Sequence, residues 1–388
     1  MKKILFVMSS LHNGGAERSL VNLFEEMSPE KYEIDLLLFK KEGMFLSQVP
    51  DYVNIFDTPA TLKKLYSPVS KAGSMVGVKC IGDIVSKIRT KNVREKRVYR
   101  WNHFYGKHVS KLEKKYDVAV AYLSGEVLCY VDEKVDADKK IVWIHNDYRT
   151  AQHPKKLDYE RFRRMDNIVS VSYGCVDILK EEFDDLKEKI VYLPNITSSK
   201  LLKKRADEFY PSEYNEGDNN LLSIGRLNSQ KGFDLAINAA AIMKQSNIKF
   251  KWFIIGEGEL KDNLENMIAD NDVGDCVYLL GTRSNPYPYI KNCTILVQPS
   301  RYEGKSVVID EAKILAAPIA VTDYPTVADQ VTKGEEGIIM GMNPKNIADS
   351  LITMLENKAI RERLQMNLQK KDYGNQDVIK DYDTLFGA

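Results

Sequence analysis

The feature that most constrains this chain is a repeated order of pattern: a short apolar run of strand length, a polar turn containing glycine, then apolar residues at helical spacing. Ile4-Leu5-Phe6-Val7-Met8 opens the first such repeat, and Ala16, Leu20, Leu23, Phe24 and Met27 supply the helical period that follows. Apolar runs at 34–39, 118–122, 141–144, 168–171 and 190–193 continue the theme. Strands separated by helical patterns pair in parallel, so these runs predict a doubly wound α/β sheet. Polar and charged residues with Pro211 fill 197–220, and then the same order begins afresh. Strand candidates stand at 221–225, 252–256, 277–281, 294–297, 319–322 and 337–340, with helices expected at 233–243 and 305–316. The expectation is two Rossmann-like doubly wound domains, 1–196 and 197–372, and a last stretch, 373–388, whose residues 376–386 form a helix packing back on the first domain. Ligands of such sheets bind beyond the C-terminal strand ends, so the expected site is a cleft between the two domains.

With 388 residues, 44% hydrophobic and 29% charged, the chain has material for two cores. Its net charge of +1 excludes wholesale nucleic-acid binding. The balance is uneven, however: residues 61–115 hold 15 Lys and Arg against 3 Asp and Glu, a local +12 that leaves −11 for the rest. Tyr66, Val76, Val78, Ile84, Val85, Ile88, Val98, Tyr99, Trp101 and Phe104 are interleaved there. This segment reads either as a surface lying on anionic lipid or as a solvated helical face with an ordinary core stripe. Cys80, Cys129, Cys175, Cys276 and Cys293 are odd in number and form no C-x-x-C pair, which fits a reduced, cytoplasmic protein. Residues 1–8 lack the length and cleavage region of a secretory signal, and no window approaches the ~18 apolar residues of a membrane span. The expected location is cytoplasmic, with a peripheral place at the inner face of the plasma membrane if the basic segment meets lipid.

The most informative segment is Pro299-Ser300-Arg301-Tyr302-Glu303-Gly304-Lys305-Ser306-Val307-Val308-Ile309-Asp310-Glu311-Ala312, which follows a strand and opens a helix. Gly304, Lys305, Ser306 and Val307 are expected at the helix start, where unpaired backbone N–H groups and the positive dipole end favour a diphosphate. Glu311 lies five residues beyond Ser306, roughly 7.5 Å along a helix, a separation that suits a carboxylate on ribose hydroxyls. Two glutamates so spaced, after Pro-Ser and before Ala, resemble the signature of the retaining GT-B glycosyltransferases of the family 4 type, the group 1 glycosyltransferases. The resemblance extends over most of the chain. It implies that Glu303 lies near the donor sugar and that Glu311 holds the ribose.

A second element, Ser223-Ile224-Gly225-Arg226-Leu227 followed by Gln230-Lys231-Gly232, puts two cations around a strand-to-helix loop. An Arg fork and a Lys point charge together can neutralise a diphosphate leaving group, and the resemblance gives Arg226 and Lys231 that task. Gly14 and Gly15, between the first strand and helix, let backbone approach a ligand closely, and the resemblance implies that they face the donor phosphate and the acceptor. They are not a G-x-G-x-x-G fingerprint, which argues against a nicotinamide oxidoreductase. His145, ending a strand, resembles the family histidine near the reacting centre. Gly256 and Arg283 occupy loops that in such enzymes shape the nucleotide pocket. His12, His103, His108 and His153 show no metal-ligand spacing.

A metal-dependent transferase needs Asp-x-Asp at a buried strand end. Asp136-Ala137-Asp138 is expected in a charged loop before a strand, Asp270-Asn271-Asp272 at a helix end, and Asp381-Tyr382-Asp383 at the terminus. The expectation is therefore no metal and no cofactor: a nucleoside-diphosphate sugar as substrate, by analogy UDP-hexose or UDP-N-acetylhexosamine, and a glycan or lipid-linked glycan as acceptor. The readings that compete are a nucleotide-sugar epimerase of the same fold, which would need no acceptor, and a non-catalytic partner subunit.

Overall fold

The computed structural model describes all residues except Asn13, Glu216 and Gly304. The chain divides into two compact units: Met1–Ile196 together with Gln376–Ala388, and Thr197–Asn375.

Seven strands form the sheet of the first unit: β1 (Lys2–Met8), β2 (Tyr32–Leu38), β3 (Asn54–Phe56), β4 (Lys115–Ala121), β5 (Asp136–Ile144), β6 (Asn167–Ser170) and β7 (Ile190–Tyr192). They lie in the order β3-β2-β1-β4-β5-β6-β7 with parallel pairing throughout. Parallel sheets are covered on both faces, and here Leu5 and Val7 point into one apolar cluster while Ile4, Phe6 and Met8 point into the other. Six of these strands coincide with the apolar runs. β3 does not, because Asn54 is exposed and the strand is only three residues long. Asp136 and Asp138 are the first residues of β5 rather than a loop, and Asp138 is paired with Lys115 at 2.7 Å. The start of β5, which pairs with β4 but not yet with β6, tolerates alternating Asp because Asp136 and Asp138 point to water.

The last helix, Ile379–Phe386, completes the second cluster of this unit. Tyr382 stacks at 6.0 Å on Trp143 of β5, and Phe386 meets Phe6 edge-on at 5.9 Å. Lys31 and the Tyr32 hydroxyl both bond Asp383, at 2.6 and 2.5 Å, and the Tyr382 hydroxyl donates to the Pro194 carbonyl at 3.0 Å.

In the second unit, β8 (Asn220–Ile224), β9 (Lys251–Ile255), β10 (Val277–Gly281), β11 (Ile295–Gln298), β12 (Ile319–Thr322) and β13 (Ile338–Met340) lie in the order β10-β9-β8-β11-β12-β13, again parallel. Both sheets therefore reverse winding direction beside their first strand, between β1 and β4 and between β8 and β11. Two expectations need correction. The polar stretch after residue 197 contains the helix Ser199–Ala206, because Leu202 and Ala206, one turn apart, are buried in this unit's core. The helix expected from residue 305 begins at Val307, since Ser306 is extended at φ −83° and ψ 113°.

Two outcomes test this packing. Phe386→Ala should cost about 3–5 kcal/mol in urea unfolding, as for other buried aromatic deletions. In the first unit, burial pushes the Asp158 carboxyl up to about 7, although the Tyr148 hydroxyl donates to it at 2.9 Å. The folded state then holds a proton that the unfolded state has released, so this group's stabilisation is complete below about pH 4 and is lost as pH rises through 7. Asp158→Asn should flatten that part of the stability profile, gaining on the wild type between pH 4 and pH 8; parallel profiles would refute it.

Candidate functional site

The reversal point between β8 and β11 is where a crevice opens beyond strand ends. Two loops meet there. The first runs from Gly225 through a short 3₁₀ turn, Ser229–Lys231, whose N-cap Asn228 accepts from the Lys231 backbone N–H at 3.3 Å. Gly232 then takes a left-handed φ of +66°, and a Cβ there would stand 2.0 Å from the Pro299 carbonyl oxygen. Glycine thus lets the first loop close onto the second, which begins at Pro299 after β11. The Arg301 N–H donates to the Gln230 carbonyl at 2.8 Å, and the Gln230 amide returns a bond to the Tyr302 carbonyl at 3.0 Å. Arg301 clamps Asp234 with both guanidinium nitrogens, at 2.8 and 2.6 Å.

This stitching brings Lys231 to Glu303. The ammonium lies 2.7 Å from Glu303 Oε1, with the Lys side chain 17% and the Glu side chain 8% exposed. Oε1 also accepts from Gln298 Nε2 at 2.8 Å and from the Ser300 hydroxyl at 2.7 Å, and Thr326 holds the Glu303 carbonyl at 2.7 Å. So many donors on one oxygen demand an ionised carboxylate in one orientation. Lys231 is therefore not an uncompensated point charge. Arg226, one residue past Gly225, is exposed and makes no ion pair among the described residues. Gly225 packs against the Lys231 stem, where a Cβ would meet Cδ and Cε at 3.0 Å. Gly256, which ends β9, has φ +156°, and its Cβ would lie 1.9 Å from the Gly225 carbonyl oxygen.

The start of the helix Val307–Ile314 differs from expectation. Gly304 lies outside the described residues. The Ser306 N–H is not open to a phosphate, because it donates to Gln330 Oε1 at 3.0 Å, while the Ser306 hydroxyl donates to Gln298 Oε1 at 3.0 Å. Lys305 points away from Glu303 to Asp310, at 3.4 Å, and is half exposed. Val307 is the first helical residue, and Glu311, one turn on, is completely buried. Arg283 is engaged by Glu213 at 2.9 Å and by the Tyr289 hydroxyl at 3.2 Å, which leaves the backbone of its loop rather than the guanidinium for a ligand.

Gln298 and Gln330 were not foreseen. Both are buried, and between them they fix Glu303, Ser306 and Asp310. A glutamine closing an otherwise apolar strand is the signal that marks Gln298.

The first unit carries the remaining predicted residues. Gly14 is the N-cap of the helix Gly15–Glu26 and provides no side-chain cap. A Cβ on Gly15 would meet nothing within 4 Å, whereas one on Gly14 would meet the Glu17 carboxylate at 1.9 Å. A flexible carboxylate thus lies over the helix start, where positive dipole charge is concentrated. His145, just past β5, has Nε2 3.0 Å from the Tyr122 carbonyl, so the ring donates from Nε2 and leaves Nδ1 as an acceptor. Burial lowers its pKa to about 4, keeping it neutral. His12 is exposed and pairs with Glu42 at 3.3 Å. Among the described residues, no three or more His, Cys, Asp or Glu side chains are grouped to hold a metal.

Comparison with known proteins agrees with this architecture. Residues 204–371 match the model of the glycosyl transferases group 1 family. An uncharacterized glycosyltransferase of Methanocaldococcus jannaschii is 26% identical over 289 residues, 64% of this chain and 71% of that protein. The GalNAc-alpha-(1->4)-GalNAc-alpha-(1->3)-diNAcBac-PP-undecaprenol alpha-1,4-N-acetyl-D-galactosaminyltransferase of Campylobacter jejuni is 23% identical over 377 residues, 96% of this chain and 94% of its own. Anabaena HepE, crystallised with UDP and glucose, superposes with a TM-score of 0.70 at 15% identity, covering 100% of both chains. Two Rossmann-like parallel sheets make the fold that of the GT-B glycosyltransferases, and within the second unit residues 204–371 match the glycosyl transferases group 1 family.

Proposed function

We propose that the protein is a retaining, metal-independent glycosyltransferase that moves a hexose or N-acetylhexosamine from a UDP-linked donor to a glycan acceptor, in the synthesis of a cell-envelope polysaccharide or glycoconjugate. The observation that carries this reading is the 2.7 Å Lys231–Glu303 pair beside the open Arg226, at the reversal point of the second sheet. Arg226 supplies uncompensated positive charge for the departing diphosphate. Lys231 gives one N–H to Glu303 and keeps two for phosphate oxygens, so Glu303 positions the ammonium as well as lying beside the sugar. The bond between the anomeric carbon and the diphosphate breaks as the acceptor hydroxyl bonds the same face of that carbon, and the hydroxyl proton leaves with the diphosphate. Glu311, on the helix behind, is the candidate for the ribose. Gly14, Gly15 and a neutral His145 with Nδ1 free to accept a hydroxyl hydrogen bond are the first unit's candidates for donor and acceptor contacts. Support for UDP comes from HepE, and support for a lipid-diphosphate acceptor from the Campylobacter enzyme, whose name carries PP-undecaprenol. Such an acceptor places the work at the cytoplasmic face of a membrane.

Arg226→Ala and Lys231→Ala should each lower kcat by about 10²–10³, as expected for removing one preorganised charge, with UDP affinity also weakened. Turnover unaffected in both variants would sink the assignment. Activity should persist after EDTA treatment and without added magnesium or manganese. Product linkage read by NMR from an α-linked donor should be α. Incubating donor alone should give no isomer, which is the outcome an epimerase would contradict.

A further inference from the structure

The helix Val76–Arg89 of the first unit is apolar on two opposite faces. Its inner face is built of small residues: Gly82 and Ser86 are buried, and a Cβ at Gly82 would stand 3.3 Å from the Phe104 ring. On the opposite side Ile81, Ile84 and Ile88, at i, i+3 and i+7, form one stripe and are 55%, 60% and 76% exposed. Val93, the first residue of the next helix, Val93–Arg100, is 66% exposed as well. Isoleucine is among the most consistently buried residue types, so three in a row on the outer face of a docked helix call for a partner.

The charges around the stripe say which partner. At about 100° per residue, Lys87 falls on one side of the stripe and Arg89 on the other, and Lys91 follows just past the helix. All three are exposed, and none makes an ion pair among the described residues. Of the segment's other cations, Arg100 is held by Asp83 and Glu126 at 2.6 and 2.7 Å, Lys114 by Glu33 and Asp35 at 2.7 and 2.8 Å, and Lys115 by Asp138, while the rest make no ion pair among the described residues. Among the described residues, positive charge without an ion-pair partner therefore lies on both sides of the isoleucines and extends along the rest of the segment. Apart from Tyr99, which is partly exposed beside His103, the segment's aromatic residues take no part. Trp101 and Val98 are fully buried and Tyr66 and Phe104 pack on the core, so from the mixed aliphatic and aromatic set read in the sequence it is Ile84 and Ile88 that form the exposed stripe, with Ile81 beside them.

We propose that this face docks on an anionic lipid bilayer. Ile81, Ile84 and Ile88 enter the boundary between headgroups and acyl chains, while Lys87, Arg89 and Lys91 meet lipid phosphates. A second copy of the chain fits less well, because a two-fold contact through this stripe sets the same cations against one another. Among the described residues no helix is long and apolar enough to cross a membrane, so the attachment is peripheral. The inference does not depend on the reaction proposed above, and its test does not measure transfer.

Co-sedimentation of the full chain with vesicles containing phosphatidylglycerol should show binding at low salt, less at high salt, and little on phosphatidylcholine alone. In the variant Ile81→Ser/Ile84→Ser/Ile88→Ser, the lipid concentration for half-binding should rise roughly tenfold or more, with far-UV circular dichroism unchanged. Lys87→Gln/Arg89→Gln/Lys91→Gln should lose the salt-sensitive part of binding, and it carries the test if the serine variant does not fold. Three results would each overturn the proposal: no wild-type binding to phosphatidylglycerol at low salt, a folded serine variant that binds like the wild type, or a wild-type dimer in light scattering that the serine substitutions dissolve.

Discussion

The Glu303 carboxylate is the point on which the second unit's site depends. It is nearly buried, and an ionised carboxylate so placed must be compensated by charge and hydrogen bonds or lose its charge. Lys231 supplies the charge, and Gln298 and Ser300 supply the bonds, all onto one oxygen. Because Lys231 comes from one loop and Gln298 and Ser300 from the start of the other, fixing the carboxylate fixes both loops too. Gly232 makes that possible by letting one loop come within a carbonyl's reach of the other.

The consequence for chemistry is a division of labour between two cations that look equivalent in sequence. Arg226 is exposed and makes no ion pair among the described residues; Lys231 is enclosed and already paired. Under the proposed function, neutralising a diphosphate requires the Lys231–Glu303 pair to share its ammonium rather than release it. Such sharing costs little reorganisation, since the ammonium has three donors and stays in place.

Much of the fold was legible in the residues. Buried parallel strands are continuous apolar runs, and twelve of the thirteen strands announce themselves that way. The exception, Asn54–Phe56, is too short and too exposed to leave a pattern. The helix Ser199–Ala206 escaped for the converse reason: its lysines and arginine dominate composition, while its buried residues are Ser199, Leu202 and Ala206, behind the N-cap Ser198. In the site, Glu303, Arg226 and Lys231 could be picked out by type and spacing. Gln298 and Gln330 could not be assigned roles, because an amide's partners depend on which loops lie beside it.

By itself, then, the sequence determined two parallel α/β units, the position of their glycine loops at strand ends and the charged residues those loops carry, since periodicity and chain order are local properties. Only tertiary structure decided which charges are already spent. Lys231 is paired with Glu303, Lys305 with Asp310 and Arg283 with Glu213, while Arg226 has no ion pair among the described residues, and the Ser306 N–H is taken by a glutamine 24 residues away. The same holds for the basic segment, where the aromatics turned inward and the isoleucines outward. Hydrogen bonds and burial are made between residues distant along the chain, so their outcome is set by packing and not by spacing.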